Sequence, residues 1–126
     1  MSQDVMGGPN PYYKVLAIRE KVKKVLDKES LPVIVEGKRD VEVMEELGVE
    51  EIIPLNGRPL YKVAKDVSEN FEEVLVLTDF DSEGMKLAKK INSFLGKFDV
   101  VPKNSLRGKI KEILVKKGVS QVEDIC

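Results

Sequence analysis

The stretch Val74-Leu75-Val76-Leu77-Thr78-Asp79-Phe80-Asp81-Ser82-Glu83-Gly84 decides the fold of this chain. Its four leading apolar residues predict a β-strand that is buried on both faces. Three acidic residues follow at alternate positions, and Gly84 permits a tight turn into a helix. A buried parallel strand therefore ends in carboxylates, at the edge where open α/β sheets bind their ligands.

Carboxylates that lie this close together repel one another and resist joint ionisation unless a cation or a basic group lies between them. Oxygen ligands without nitrogen or sulfur suit a hard cation such as Mg²⁺, with Mn²⁺ as an alternative. The other interpretation is a solvated acidic turn that caps the next helix. For an isolated Asp-x-Asp the two interpretations have about equal weight, so a second observation must separate them.

A second acidic strand end supplies that observation. The apolar run 31–35 ends in Glu36, and Gly37 follows. If the two strands are neighbours in the sheet, Glu36, Asp79 and Asp81 converge at one edge. Their mutual repulsion costs free energy that a bound cation would offset, which favours a metal site over a device for stability.

The rest of the chain alternates between helical and strand patterns, which predicts an α/β fold with a parallel sheet. We expect a flexible arm over residues 1–11 and a single domain over 12–126, with about four strands and an extra N-terminal helix. Pro54 places its strand near an edge of the sheet, and Ser105 is a candidate cap of the last helix. The predicted strands cover 31–35, 51–55, 73–78 and 98–102, and the predicted helices cover 12–28, 40–47, 59–69, 85–95 and 106–117.

Composition limits the possible chemistry. Of the 126 residues, 42% are hydrophobic and 34% are charged, which predicts a soluble globular protein. There is no histidine, and Cys126 is the only cysteine, so His-based catalysis, His/Cys metal sites and an intrachain disulfide are excluded. The chain shows no signal peptide and no apolar run long enough to span a bilayer. We therefore expect a cytoplasmic protein without membrane contact.

The net charge is -1, but the basic residues are not evenly spread. Six of them lie between residues 103 and 117, against one acidic residue, Glu112. This strip could follow a nucleic-acid backbone through phosphate contacts. An ordinary exposed helix face explains it equally well. The candidates for phosphate or nucleic-acid contact are Lys38, Arg39, Lys103, Arg107 and Lys109.

The pair of acidic motifs resembles the Toprim domain. Val35-Glu36-Gly37-Lys38-Arg39-Asp40 is followed, about forty residues later, by Leu77-Thr78-Asp79-Phe80-Asp81-Ser82-Glu83-Gly84. The Toprim domain is shared by topoisomerases, bacterial primases, several nucleases and recombination-mediator proteins. The resemblance covers roughly residues 31–101 and is greatest to the small stand-alone Toprim proteins of archaea. It implies a Rossmann-like sheet.

The resemblance also implies roles for individual residues. Glu36 matches the glutamate proposed as the general acid/base in phosphoryl transfer and can share the metal. Asp79 and Asp81 match the metal-binding aspartates. Glu83 is a further candidate metal ligand at a third acidic position that is often aspartate, so its longer side chain departs from the pattern. The tyrosine domain of topoisomerases and the zinc region of primases are missing, so neither full activity is implied.

Three functional hypotheses follow. The first is a Mg²⁺-dependent enzyme that acts on nucleic-acid phosphodiesters, as a nuclease or in nucleotidyl transfer. The second is a non-catalytic nucleic-acid-binding or assembly module, in which a protein partner supplies missing substrate contacts. The third is a phosphatase-like or receiver-like domain with Asp79 as phosphoryl acceptor. Against the third, Asp-x-Asp usually follows the first strand in such enzymes, whereas here an earlier strand already carries Glu36.

Overall fold

The computed structural model describes the backbone of residues 11–126 and the side chains from residue 16 onward. The predicted arm, 1–11, falls outside this part except for Pro11, which opens the first helix and suits that position. The helices are α1 (Pro11–Asp27), α2 (Lys38–Glu46), α3 (Leu60–Ser68), α4 (Ser82–Lys97) and α5 (Asn104–Lys116). The strands are β1 (Val33–Val35), β2 (Ile52–Pro54), β3 (Glu73–Val76) and β4 (Val101–Pro102), and a 3₁₀ turn (Val122–Ile125) follows α5.

The four strands form one parallel sheet in the order β2-β1-β3-β4. This confirms the predicted α/β class and the parallel sheet. The β1 and β3 strands lie side by side in the centre, with Ile34 opposite Val76. The β2 strand lies at an edge, as Pro54 predicts, because a proline cannot donate a hydrogen bond to a further strand.

Two hydrophobic cores cover the two faces of the sheet. On one face, α1, α2, α5 and the 3₁₀ turn pack on Val33, Val35, Leu75 and Leu77. On the other face, α3 and α4 pack on Ile34, Val74 and Val76. The central strands alternate between the two cores, so both faces are buried. Burial on both faces explains why these strands read as continuous apolar runs.

Several boundaries differ from the predicted ones. The β3 strand ends at Val76 rather than residue 78, because Asp79 and its neighbours turn toward α4. The β4 strand begins only at Val101, since α4 extends to Lys97 and Asp99 has a left-handed backbone with a φ of 60°. Ser105 does not cap α5; it lies inside the helix, which begins at Asn104.

The C-terminal segment is part of the larger core. Its 3₁₀ turn buries Val122 and Ile125 completely in the larger core. This packing brings the segment against the carboxyl ends of the central strands. Among the described helices, none has the length and apolar character needed to cross a membrane.

Candidate metal and phosphate site at the strand ends

The two acidic motifs meet at the carboxyl ends of β1 and β3. Because these strands are neighbours, Glu36 and Asp79 lie at the same edge of the sheet. Oε2 of Glu36 accepts a hydrogen bond of 2.7 Å from the backbone N–H of Asp79, 43 residues away in sequence. We call Glu36, Asp79 and Asp81 the acidic rim. The predicted convergence of the first two is thus a direct contact.

The carboxylate of Asp79 is held from the opposite side by the C-terminal segment. Its Oδ1 accepts a hydrogen bond of 2.8 Å from the backbone N–H of Val122. Nearby, the N–H of Phe80 donates to the carbonyl of Ser120 at 2.6 Å. These two bonds attach the loop after β3 to the 3₁₀ turn. The orientation of Asp79 therefore depends on residues at the far end of the chain.

Asp81 starts the helix that follows. It is the N-cap of α4, and its Oδ1 accepts a hydrogen bond of 2.8 Å from the N–H of Gly84. The hydroxyl of Thr78 donates to the carbonyl of Gly84 at 2.7 Å. A Cβ on residue 84 would collide with the carbonyl oxygen of Asp79 and lie 2.8 Å from its Cα. Glycine is required here by the close approach of α4 to the Asp79 backbone.

The side chain of Arg107 supports the loop that follows β3. It is buried, and Nη1 donates to the carbonyls of Val76 and Thr78 at 3.0 Å each. Its Nη2 lies 3.3 Å from the carbonyl of Asp79. The guanidinium also stacks over Phe80, with Cζ 4.4 Å from the ring centroid. One arginine thus binds the end of β3 and the start of the acidic loop.

Burial and charge act in opposite directions on Arg107. Burial lowers the pKa of its guanidinium, whereas the nearby carboxylates of Glu36 and Asp79 raise it. An arginine pKa stays high enough for the group to remain charged. Arg107 was a predicted nucleic-acid contact, but its buried side chain donates to backbone carbonyls. The sequence held a signal for this, because Arg107 is three and seven residues before the buried Ile110 and Leu114.

Burial and neighbouring charges raise the pKa of two carboxyl groups near these strand ends, Glu36 and Asp40. Burial raises the pKa of Glu36 most; the hydrogen bond from Asp79 N–H lowers it, and the charges of Asp79, Asp40 and Asp81 raise it. Asp40, which sequence reasoning did not identify, is also buried. Burial raises the pKa of Asp40, and its hydrogen bond from Gly37 N–H, at 2.9 Å, opposes this. The spacing Gly37-x-x-Asp40 was the available signal.

Glu83, the fourth predicted metal ligand, lies in the first turn of α4, where its side chain is exposed. Within residues 16–126, no three acidic side chains come together as a preformed metal-binding cluster. The rim instead offers carboxylates that each have one oxygen bound to a backbone N–H. Mg²⁺ sites in proteins commonly use one or two carboxylates and complete their shell with water and substrate phosphates.

Of the remaining predicted basic contacts, Lys103 and Lys109 lie away from the rim. Lys38 and Arg39 are exposed at the start of α2, and Nη1 of Arg39 lies 3.9 Å from Oε1 of Glu123. Lys103 lies near the amino end of β3, and its Nζ pairs there with Glu29 at 3.4 Å and with Glu73 at 3.6 Å. Lys109 lines a groove between α1 and α5. Lys38 and Arg39 are therefore the predicted cations nearest to Glu36 along the chain.

Comparison with known proteins agrees with this geometry. A family model described as "Toprim domain" matches residues 32–113. A UPF0292 protein of Methanocaldococcus jannaschii is 45% identical over 82 residues, which cover 64% of this chain and 62% of that protein. A UPF0292 protein of Thermococcus kodakarensis is 35% identical over 122 residues, 93% of this chain and 84% of that protein. These similar proteins come from archaea, as the resemblance implied.

One solved structure has a similar fold. It is described as a putative protein from Aquifex aeolicus, and it superposes with a TM-score of 0.65. The match covers 91% of this chain and 97% of that chain, at 19% sequence identity. At this identity the likeness concerns the fold alone.

Proposed function

This chain belongs to the Toprim domain family, and we propose that it is a metal-dependent module that transfers phosphoryl groups at nucleic-acid phosphodiesters. The reaction would be hydrolysis by a nuclease or a nucleotidyl transfer. One observation carries the proposal: the hydrogen bond between Glu36 and Asp79 N–H brings both acidic motifs to one edge of the sheet. A stability role explains this poorly, because burial and the nearby acidic charges raise the pKa of Glu36 even though the hydrogen bond from Asp79 N–H lowers it.

The acidic rim fits a hard divalent cation such as Mg²⁺ or Mn²⁺. Asp79 and Asp81 each bind a backbone N–H through Oδ1. Within the described residues, no protein donor reaches their Oδ2 atoms, which we propose as the metal ligands. Glu83 would join through the shell of water, since it lies on the adjacent turn. The ion, when bound, would neutralise charge that develops on the phosphate.

Glu36 is the candidate for proton transfer. Burial and the neighbouring carboxylates raise its pKa from the ordinary value of 4.5. A carboxyl group with a raised pKa exchanges protons more readily near neutral pH. Its Oε2 is fixed by Asp79 N–H, which holds the side chain beside the proposed ligands. Lys38 and Arg39, exposed just after it, would bind the substrate phosphate.

A second candidate function is binding of nucleic acid without catalysis. It is favoured by the lack, within residues 16–126, of three acidic side chains close enough to form a preformed metal cluster. In this case the acidic rim would be a structural remnant of the fold, since fold alone does not fix function. A protein partner would then supply the chemistry or further substrate contacts.

The test is a cleavage and ligation assay with end-labelled RNA and DNA, single-stranded and structured, in Mg²⁺ or Mn²⁺. We expect Glu36→Gln and Asp79→Asn each to lower turnover by at least about a hundredfold. Glu42→Gln, an exposed change of the same chemistry in α2, is the control and keeps wild-type turnover. Full activity in the Glu36→Gln/Asp79→Asn double variant contradicts the proposal.

A further inference from the structure

A groove runs between α4 and α5, directly beside the acidic rim, with a volume of about 530 Å³. We propose that this groove binds the sugar–phosphate backbone of a single-stranded nucleic acid and leads it to the rim. The proposal rests on the proposed function for its substrate class. It adds Lys86 and Lys89, which the sequence did not single out, to Lys111 of the basic strip, and it leaves out Lys103.

The groove is built from matching faces of two helices. Each helix contributes residues at steps of three and four, so their side chains form a continuous stripe. The α4 stripe contains Met85, Ala88, Lys89 and Asn92, and the α5 stripe contains Asn104, Arg107, Gly108 and Lys111. Gly108 has no atom within 4 Å of the position that its Cβ would take. The groove is open at this point.

The charge of the groove is uniformly positive. Lys86, Lys89 and Lys111 line it and are exposed, and no acidic residue lines it. In the part of the chain that the structure describes, none of these three lysines pairs with a carboxylate. Lysines whose charge is not neutralised by the protein attract a polyanion most strongly.

A run of exposed glutamates lies outside the groove. They occupy α2 and the loop that follows it, at Glu42, Glu45, Glu46, Glu50 and Glu51. The net charge of -1 therefore hides an uneven distribution of charge. A polyanion would be attracted to the α4–α5 groove and repelled from the glutamates that follow Lys38 and Arg39 in α2.

Arg107 and Met85 line the groove and also contact the backbone of the acidic rim. Nη2 of Arg107 lies 3.6 Å from Sδ of Met85 and 3.3 Å from the carbonyl of Asp79. The N–H of Met85 donates to the carbonyl of Asp81 at 2.9 Å. A backbone that lies along the groove would thus arrive at Asp79 and Asp81 within one helical turn.

The remaining groove surface favours a single strand over a duplex. Met85, with 38% of its surface exposed, gives unpaired bases an apolar contact that a duplex could not use. Nδ2 of Asn92 donates to Asn104 at 3.2 Å, and Oδ1 of Asn92 is buried without a hydrogen-bond partner. Among the described side chains it is the one buried polar atom in that state. A sugar hydroxyl or base N–H could satisfy it after a small side-chain shift.

The test measures binding alone, by fluorescence anisotropy of a short fluorescein-labelled single strand, as RNA and as DNA of one sequence. EDTA is present, so neither metal nor turnover is needed. In Lys86→Ala/Lys89→Ala/Lys111→Ala we expect affinity to fall at least tenfold. The slope of log affinity against log salt, from about 50 to 200 mM, should become shallower by roughly 2, for three lost phosphate contacts.

Two further variants complete the design. Lys24→Ala/Lys28→Ala/Lys65→Ala removes the same charge from exposed lysines outside the groove and should keep wild-type affinity and slope. Gly108→Glu places a carboxylate in the open groove without a clash, and a helix interior tolerates it better than glycine. It should lower affinity at least tenfold while the protein remains as stable as wild type.

Several results would overturn the groove assignment. One is an equal loss of affinity in the two triple variants, and another is tighter binding of a duplex than of the single strand. A third is polyglutamate that displaces the labelled strand as well as an unlabelled strand does, and a fourth is no binding by wild type at low salt. If the groove variants bind normally while Asp79→Asn abolishes cleavage, the groove assignment is wrong and the proposed function stands. If the groove variants lose binding while wild type shows no metal-dependent cleavage, the groove stands and the catalytic proposal fails.

Discussion

The ends of β1 and β3 form two parts of the same rim, yet the protein holds them differently. The end of β3 is bound from three directions, by Arg107, by Val122 N–H and by the close contact with Gly84. The end of β1 carries Glu36, whose carbonyl accepts a hydrogen bond from Asn56 N–H and whose carboxylate accepts one from Asp79 N–H. The difference fits the proposed division of roles, in which aspartates on the more firmly bound loop hold a metal and the glutamate at the less constrained strand end moves a proton.

The largest loss of stability should come from Gly84→Ala, which disrupts the close contact at the end of β3. Its Cβ would lie 2.5 Å from the carbonyl carbon of Asp79, so the backbone must shift. We expect the free energy of unfolding to fall by at least about 3 kcal/mol. Gly96→Ala in the same helix meets no atom within 4 Å and should raise stability by up to about 1 kcal/mol. Similar urea midpoints for the two variants would show that Gly84 is not constrained.

Arg107→Met removes the support beneath β3. Three carbonyls lose their donor, and we expect a loss of about 2–3 kcal/mol. Arg107→Lys should be intermediate, because lysine keeps the charge but lacks the planar fork. Lys109→Met, an exposed change in the same helix, should stay within about 0.5 kcal/mol of wild type. If chemical denaturation shows that Arg107→Met lowers the free energy of unfolding no more than Lys109→Met does, the bonds of Arg107 to these carbonyls do not stabilise the fold.

Val122→Pro isolates the bond between the C-terminal segment and Asp79. Proline lacks the N–H but suits the first position of the 3₁₀ turn, since Gln121 before it is extended, with a ψ of 135°. We expect a loss of about 1–2 kcal/mol from the unpaired Asp79 carboxylate. In an Asp79→Ala background the same change should cost about 1–2 kcal/mol less, because only the lost packing of the buried Val122 side chain remains. Equal costs in both backgrounds would place the effect elsewhere.

Glu36→Gln tests the less constrained end and should have the smallest effect on stability. The pKa of Glu36 is raised in the folded state, so its ionisation opposes folding once the pH exceeds that pKa. The variant should therefore melt slightly higher than wild type at pH 7, on the order of 1–3 °C, and the gain should vanish near pH 4. A lower melting temperature at pH 7 would mean that the carboxylate stabilises the fold.

The central elements of this protein could be predicted because they depend on local pattern. Apolar runs marked β1 and β3, and both end in acidic residues followed by glycine. Their convergence needed only the inference that the strands are neighbours. By contrast, the contacts of Arg107 and Val122 join residues 31 and 43 positions apart through packing. Periodicity reports which face of a helix is buried, but not which carbonyl a buried side chain will reach.

The most direct test of the central claim is calorimetric titration of Mg²⁺ or Mn²⁺ into wild type and Asp79→Asn/Asp81→Asn. The titration is run with and without a non-hydrolysable single-stranded oligonucleotide, because Mg²⁺ sites often need substrate phosphates to complete them. We expect saturable binding by wild type, at least with the oligonucleotide, and none by the variant. No binding by wild type in either condition, or equal binding by both proteins, would contradict a metal site at the acidic rim.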